Sequence, residues 1–211
     1  VVTDEITVDA NNNVTYTVPD LSDVDIVLVG MKNPNSEGDG FNSETGEYLP
    51  ISLQYRPYTA DSDSVRKTSI GGNTLPDGSK ENRSYFGKTA QATNEPDLDA
   101  LERAAKAVAD SGRDIPVVAV IRARQAIVLS EVEPLTDAIV VGFDISQEAL
   151  IEVALGLDAG GGRLPIVFPA DMATVEASFE DKAGDVTGYK DQAGNTYEFG
   201  FGLTCQGTPI K

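Results

Sequence analysis

The residues able to do chemistry are restricted from the outset. The chain has no histidine and one cysteine, Cys205. Imidazole-based triads, histidine zinc sites and imidazole proton transfer are therefore excluded, and one cysteine cannot build an intrachain disulfide framework. Cys205 has no basic neighbour in sequence to activate its thiol, so it reads as inert. Acid–base work falls to carboxylates, tyrosine, lysine or that cysteine. The densest candidate is NPNSEGDGFNSETGEYLP, residues 33–50, which sets Glu37, Asp39, Glu44 and Glu47 among Gly38, Gly40 and Gly46. A solvated acidic loop, a cation cradle and a loop delivering one carboxylate to a substrate all fit those residue types.

For the cradle, Asn33, Asn35, Glu37, Gly38 and Glu44 fall at the first, third, fifth, sixth and twelfth positions of a calcium loop. The first ligand should be Asp, however, and a buried strand precedes the loop where a helix belongs. No metal is assigned, and a structural cation on residues 33–44 stays a minor alternative. The glycine run in GLDAGGGRLP, Gly156–Pro165, invites a nucleotide reading and fails on context. It follows a helix and opens an extended segment, the reverse of a dinucleotide fingerprint. A helix C-cap and a tight turn explain it, and no cofactor is implied.

Thirty-four acidic against sixteen basic residues give a formal net charge of −18. Such a surface repels nucleic acid and anionic membrane. It suits a neutral substrate, a cation or salty surroundings. No apolar run approaches the length needed to cross a bilayer, so membrane insertion is not expected. The chain starts at Val1 without an initiator Met or a signal-peptide pattern, and it reads as a mature or excised piece of something longer.

The elements that must position these residues follow from periodicity. Residues 1–20 read as a linker or edge hairpin, because EITVDANNNVTYTV alternates around an Asn-rich turn. Three uninterrupted apolar runs, IVLVG (Ile26 to Gly30), IPVVAVI and DAIVVGF, are the signature of parallel strands buried on both faces. Between the first two lies a long irregular region, from Met31 to about Thr93. Its aromatic residues Tyr48, Tyr55, Tyr58, Tyr85 and Phe86 supply apolar area to anchor it. TNEPDLDALERAAKAVADSG reads as a helix with Leu98, Leu101, Ala105 and Val108 on one face, Asn94 as N-cap and Gly112 past its end. AIVLSEVEPL reads as a short strand and helical turn. SQEALIEVALG reads as a second helix, with Ala149, Leu150, Val153 and Ala154 as its stripe. GRLPIVFP is extended, and the tail reads as turns and short strands with aromatic anchors. The pattern specifies an α/β class: a mostly parallel sheet with helices on both faces.

The last third carries a resemblance. DAIVVGFDISQEALIEVALGLDAGGGRLPIVFP resembles the close of the second domain of glycoside hydrolase family 3, the β-glucosidase and exo-glucanase family. The matching pieces are Ser146-Gln147-Glu148 at a helix start, Leu155-Gly156-Leu157-Asp158 at its end, Gly162-Arg163-Leu164-Pro165 and Phe168-Pro169. Tyr197-Glu198-Phe199-Gly200-Phe201-Gly202-Leu203 is similar to the family's Tyr-Pro-Phe-Gly-Tyr-Gly-Leu closure. Arg124 to Leu129 stands where the family has Gly-Arg-Pro and an apolar strand, and LPISLQYRPYTA resembles a bacterial branch with an elaborated loop. The likeness covers about residues 21 to 205. It departs at Ala159-Gly160-Gly161, where the family has Asn-Pro-Ser, and at the helix start, where its glycines are missing.

The resemblance implies a three-layer α/β/α sandwich over residues 21–211, the C-terminal domain of a β-glycosidase. Its partner would be a (β/α)-barrel that carries the aspartate nucleophile, and its substrate a β-linked saccharide. In such enzymes the sandwich often supplies the general acid/base glutamate from a Ser-Gly-Glu-Gly-type loop after an early strand. Here Ser36-Glu37-Gly38-Asp39-Gly40-Phe41 takes that place. The carry-over therefore assigns Glu37 as acid/base and Asp39 and Phe41 as sugar contacts, with Glu44 and Glu47 as competitors. A retaining mechanism needs two carboxyl groups about 5–5.5 Å apart, and the proton donor's pKa must be raised by burial or a nearby negative charge. With no Trp, no His and no barrel motif, the nucleophile is expected on another domain or chain, and this chain alone is expected to be inactive. A non-catalytic carbohydrate- or cation-binding module of the same fold is the alternative. The family's habits and the acidic surface imply an extracellular or cell-surface setting.

Overall fold

The computed structural model describes residues 5–158, 160–179 and 181–210, with backbone alone for Glu5, Glu37 and Gly38. Its centre is a parallel three-stranded sheet in the order β3 (Val27–Lys32), β8 (Val117–Ala123), β9 (Ala138–Phe143). Around it lie three small antiparallel ladders: β1 (Glu5–Val8) with β2 (Val14–Thr17), β4 (Phe41–Asn42) with β5 (Glu47–Tyr48), and β6 (Tyr58–Thr59) with β7 (Thr89–Ala90). Among the described residues there are three α-helices: α1 (Glu95–Ser111), α2 (Gln147–Ala154) and α3 (Met172–Ala177).

Alternation along the central strands divides the core in two. Val29 and Met31, then Val117, Ala119, Ile121 and Ala123, turn to one face and pack with Leu98 and Leu101 of α1, Tyr55 and Phe168. Val118 and Val120 turn to the other face, against Leu150 of α2. Both faces of β8 are thus apolar, as its unalternating sequence requires. Helices lie on opposite faces, but three strands with one long and two short helices are less than the expected three-layer sandwich. Most of the remaining chain is turns and isolated bridges.

Local signals account for the helix boundaries. Gly112 ends α1 in the left-handed region (φ 66°) and donates its N–H to the Ala109 carbonyl. The Ser146 and Asp171 side chains cap α2 and α3 by accepting from the Ala149 and Thr174 N–H groups. The segment 126–135, expected as strand and helical turn, is instead two 3-10 turns, Leu129–Glu131 and Glu133–Leu135. Pro134 removes an N–H there, and Ile127, Val128, Leu129 and Val132 are buried by packing rather than by a ladder.

The tail closes on itself where the Gly162–Pro165 and Phe199–Leu203 segments meet. The Leu164 N–H donates to the Phe201 carbonyl at 2.7 Å, and the Gly200 N–H returns to the Leu164 carbonyl at 2.9 Å. A Cβ at Gly202 would lie 2.3 Å from the Gly162 carbonyl oxygen, so only glycine allows this approach of two backbones. Tyr189 meets Tyr197 edge-on, and Tyr197 meets Phe201 at a tilt, beside the join. Gly202→Ala is expected to destabilise the chain by about 1–3 kcal/mol. Gly161→Ala, where a Cβ meets nothing, should be near neutral in the same urea-unfolding comparison.

Candidate functional site

The loops leaving the carboxyl ends of β3 and β8 gather at one edge of the sheet, where open parallel sheets hold their ligands. The 33–50 loop is pinned at its root. The Asn94 amide donates to the carbonyls of Lys32 (3.3 Å) and Asn33 (3.1 Å) and to the Asp97 carboxylate, and its oxygen accepts from the Asn35 N–H at 2.9 Å. The residue expected to cap α1 therefore makes no side-chain cap bond. Its hydrogen-bonding capacity goes to holding the loop against the helix.

Further along, Ser36 is buried and forms a bridge with Ala92. Its hydroxyl donates to the Ser52 carbonyl and accepts from the Ser52 N–H at 2.6 Å. The Asn33 side chain accepts from the Arg124 N–H and donates to the Pro34 carbonyl, and Asn35 donates to Thr93. Both asparagines of the hypothetical calcium loop are thus committed to protein partners. Among the described residues, no group of three or more Asp, Glu, His or Cys side chains is placed to hold a metal.

Beyond this root the chain makes a 3-10 turn, Glu37–Gly40. The Glu37 side chain lies outside the described residues. Asp39 (φ 47°) and Gly40 (φ 89°) adopt left-handed backbone, and a Cβ at Gly40 would press on Ile51 at 3.2 Å. Asp39 is exposed at the tip. Phe41 pairs with Tyr48, ring centroids 5.1 Å apart, and keeps 43% of its surface exposed. Glu44 is exposed in the hairpin turn capped by Asn42. Glu47 forms an ion pair with Lys88. That hydrogen bond and charge hold its carboxyl below the usual range, a poor setting for a proton donor.

One carboxylate at this edge escaped the sequence reading. Glu131, in the first 3-10 turn after β8, accepts from the Tyr55 N–H at 2.7 Å and the Arg56 N–H at 3.2 Å. Burial pushes its carboxyl above the ordinary 4.5, against the lowering effect of those two bonds. Tyr55 is fully buried and donates its hydroxyl to the Lys32 carbonyl at 2.7 Å. Arg56 pairs with Glu95, Asp99 and Glu102, one face of α1. Glu131 thus anchors the loop at Tyr55 and Arg56, and nothing in its sequence spacing signals that contact.

No family model, curated protein or solved structure matches the chain.

Two consequences can be measured. Asn94→Ala strands the Asn33 carbonyl and the Asn35 N–H at the loop root, while the Lys32 carbonyl keeps the Tyr55 hydroxyl, and should cost about 1–3 kcal/mol, with faster amide exchange at Asn35 and Ser36. For Glu131, a raised folded pKa means that the native state binds the proton more tightly than the unfolded chain. Its contribution is therefore greatest below 4.5 and is lost as pH rises through the folded value. The difference in unfolding free energy between wild type and Glu131→Gln should shift against wild type as pH climbs above 4.5, whereas parallel curves would exclude a raised Glu131.

Proposed function

We propose that this chain is the second domain of a retaining β-glycosidase of the glycoside hydrolase family 3 type, closing the saccharide pocket of a separate (β/α)-barrel. The observation that carries this reading is the Glu37–Gly40 turn. It projects from the carboxyl edge of a parallel sheet on a root fixed by Asn94, Ser36 and Ser52. A rigid root with a glycine-flanked tip lets one long carboxylate enter a pocket built by another domain. Glu37 is the general acid/base in this proposal, and Asp39 and Phe41 contact the sugar.

The three central strands would then be the middle layer of the family's α/β/α sandwich, and the joined Gly162–Pro165 and Phe199–Leu203 segments its closure. Approach of a second carboxylate, from the barrel, would raise the Glu37 pKa into the range of a proton donor. The paired Glu47 is a weaker candidate for that role. An extracellular setting belongs to the same proposal.

The test joins this chain to the barrel portion of its own enzyme. Glu37→Ala should lower turnover of an aryl β-glucoside by about 10²–10⁴-fold, with azide restoring it, and Glu47→Gln should leave it near wild type. Turnover by this chain alone, or an unaffected Glu37→Ala, would overturn the assignment.

A further inference from the structure

The opposite face of the same strand ends carries an arrangement that the glycosidase reading does not use. Lys32 ends β3 and Arg122 stands beside it on β8, as direct partners in the parallel register. Both side chains follow Leu28 and Gly30, and Val118 and Val120, onto the face away from Tyr55. Two like charges directly opposed on neighbouring strands are destabilising. Neither the ammonium nor the guanidinium has an ion-pair or hydrogen-bond partner among the described residues, in a chain with 34 carboxylates available. Arg122 is also the single exposed residue of the otherwise buried strand β8.

These cations border a cavity of about 370 Å³. Helix α2 covers β8 and β9 on this face but leaves β3 open. Leu28 is half-buried, Gly30 is exposed with nothing within 4 Å of the place a Cβ would occupy, and Ile151 keeps 43% of its surface exposed. Leu28, Val120, Leu150 and Ile151 give the cavity an apolar floor and wall, Asn94 and Gln147 add neutral polar groups, and Lys32 and Arg122 make the rim at the strand ends doubly positive. One carboxylate, Asp97, also reaches the cavity. It is held by the Lys32 N–H and the Asn94 amide, each at 3.0 Å, and makes no bond to either cation. Glu148 and Glu152 neighbour the lining residues Gln147 and Ile151 on α2, and charges beyond about 10 Å are screened by salt.

We propose that this cavity binds a small organic anion with an apolar body, a carboxylate-headed aliphatic or aryl compound. Its head lies between Lys32 and Arg122, and its body lies over Gly30 against Leu28 and Ile151. The volume falls in the range of small-molecule sites, where a few polar groups orient a mainly apolar ligand. A guanidinium takes a carboxylate through two parallel N–H bonds, and the ammonium adds a point charge. Gly30 supplies the space, since any side chain there would occupy the floor. This site is independent of the Glu37 assignment and of any barrel.

The test is an amide NMR titration of the full chain with hexanoate, with hexanol and acetate as separate arms. Hexanoate should shift the Gly30, Lys32 and Arg122 amides, and both other compounds should bind at least about tenfold more weakly. Arg122→Gln should weaken hexanoate by about tenfold or more. Gly30→Val, at an unobstructed strand position, should abolish binding while the Tm stays level or rises. The proposal is overturned by absence of hexanoate binding, by hexanol or acetate binding as well as hexanoate, or by undiminished binding to folded Gly30→Val.

Discussion

Parallel pairing of β3 with β8 is the constraint from which the rest of the fold follows. A parallel partner cannot be reached by a tight turn, so the chain must travel from the carboxyl edge of the sheet back to its amino edge. Here it makes most of that journey in turns, with only the short strands β4 to β7 and a 3-10 turn between Asn33 and Asn94, before α1 carries it home. A long excursion adds little closure entropy beyond a shorter one, but its polar backbone must find partners wherever it is buried. Asn94 meets this demand where the excursion begins and ends. Its single amide ties Lys32, Asn33 and Asn35 to the first residues before α1.

The heavy acidic charge belongs to the same economy of partners. Glu131 satisfies the backbone of Tyr55 and Arg56, and Glu176 accepts from the hydroxyls of Tyr58 and Tyr85 at 3.2 and 2.9 Å. Glu133 accepts from Tyr189, whose own pKa is pushed up to about 12 by burial and by that carboxylate, and also takes the Gln192 N–H. Carboxylates make stronger acceptors than neutral groups. Several acids that sequence alone assigns to a solvated surface therefore pin loops and tail to the core.

What the sequence made legible was what depends on local order. The three central strands and α1 and α2 announce themselves as apolar runs and stripes, and Gly112 marks its helix end by the conformation it must adopt. Helix α3 escaped notice because six residues are too few to show a period, although Asp171 three positions before Thr174 is a capping pattern. Asn94 was placed correctly at the helix start and given the wrong partners, since its bonds cross the excursion to Lys32, Asn33 and Asn35. Glu131 and the Lys32–Arg122 pair depend on loop placement and strand register, neither of which spacing along the chain encodes.

The strand pleat also explains how one edge can carry two unlike environments. Lys32 gives its N–H to Asp97 and its carbonyl to Tyr55 and Asn94, so the backbone at the end of β3 is held from both sides. With that backbone fixed, Met31 turns into the core beneath the 50–56 loop, and Lys32 turns out toward Arg122. Met31 and Lys32 consequently lie on opposite faces of the sheet. A one-residue shift in β3 would exchange them, placing an ammonium in the core and a thioether at the rim. Burial of Met31, Tyr55 and Leu98 against β8 thus fixes the register that keeps the two cations side by side.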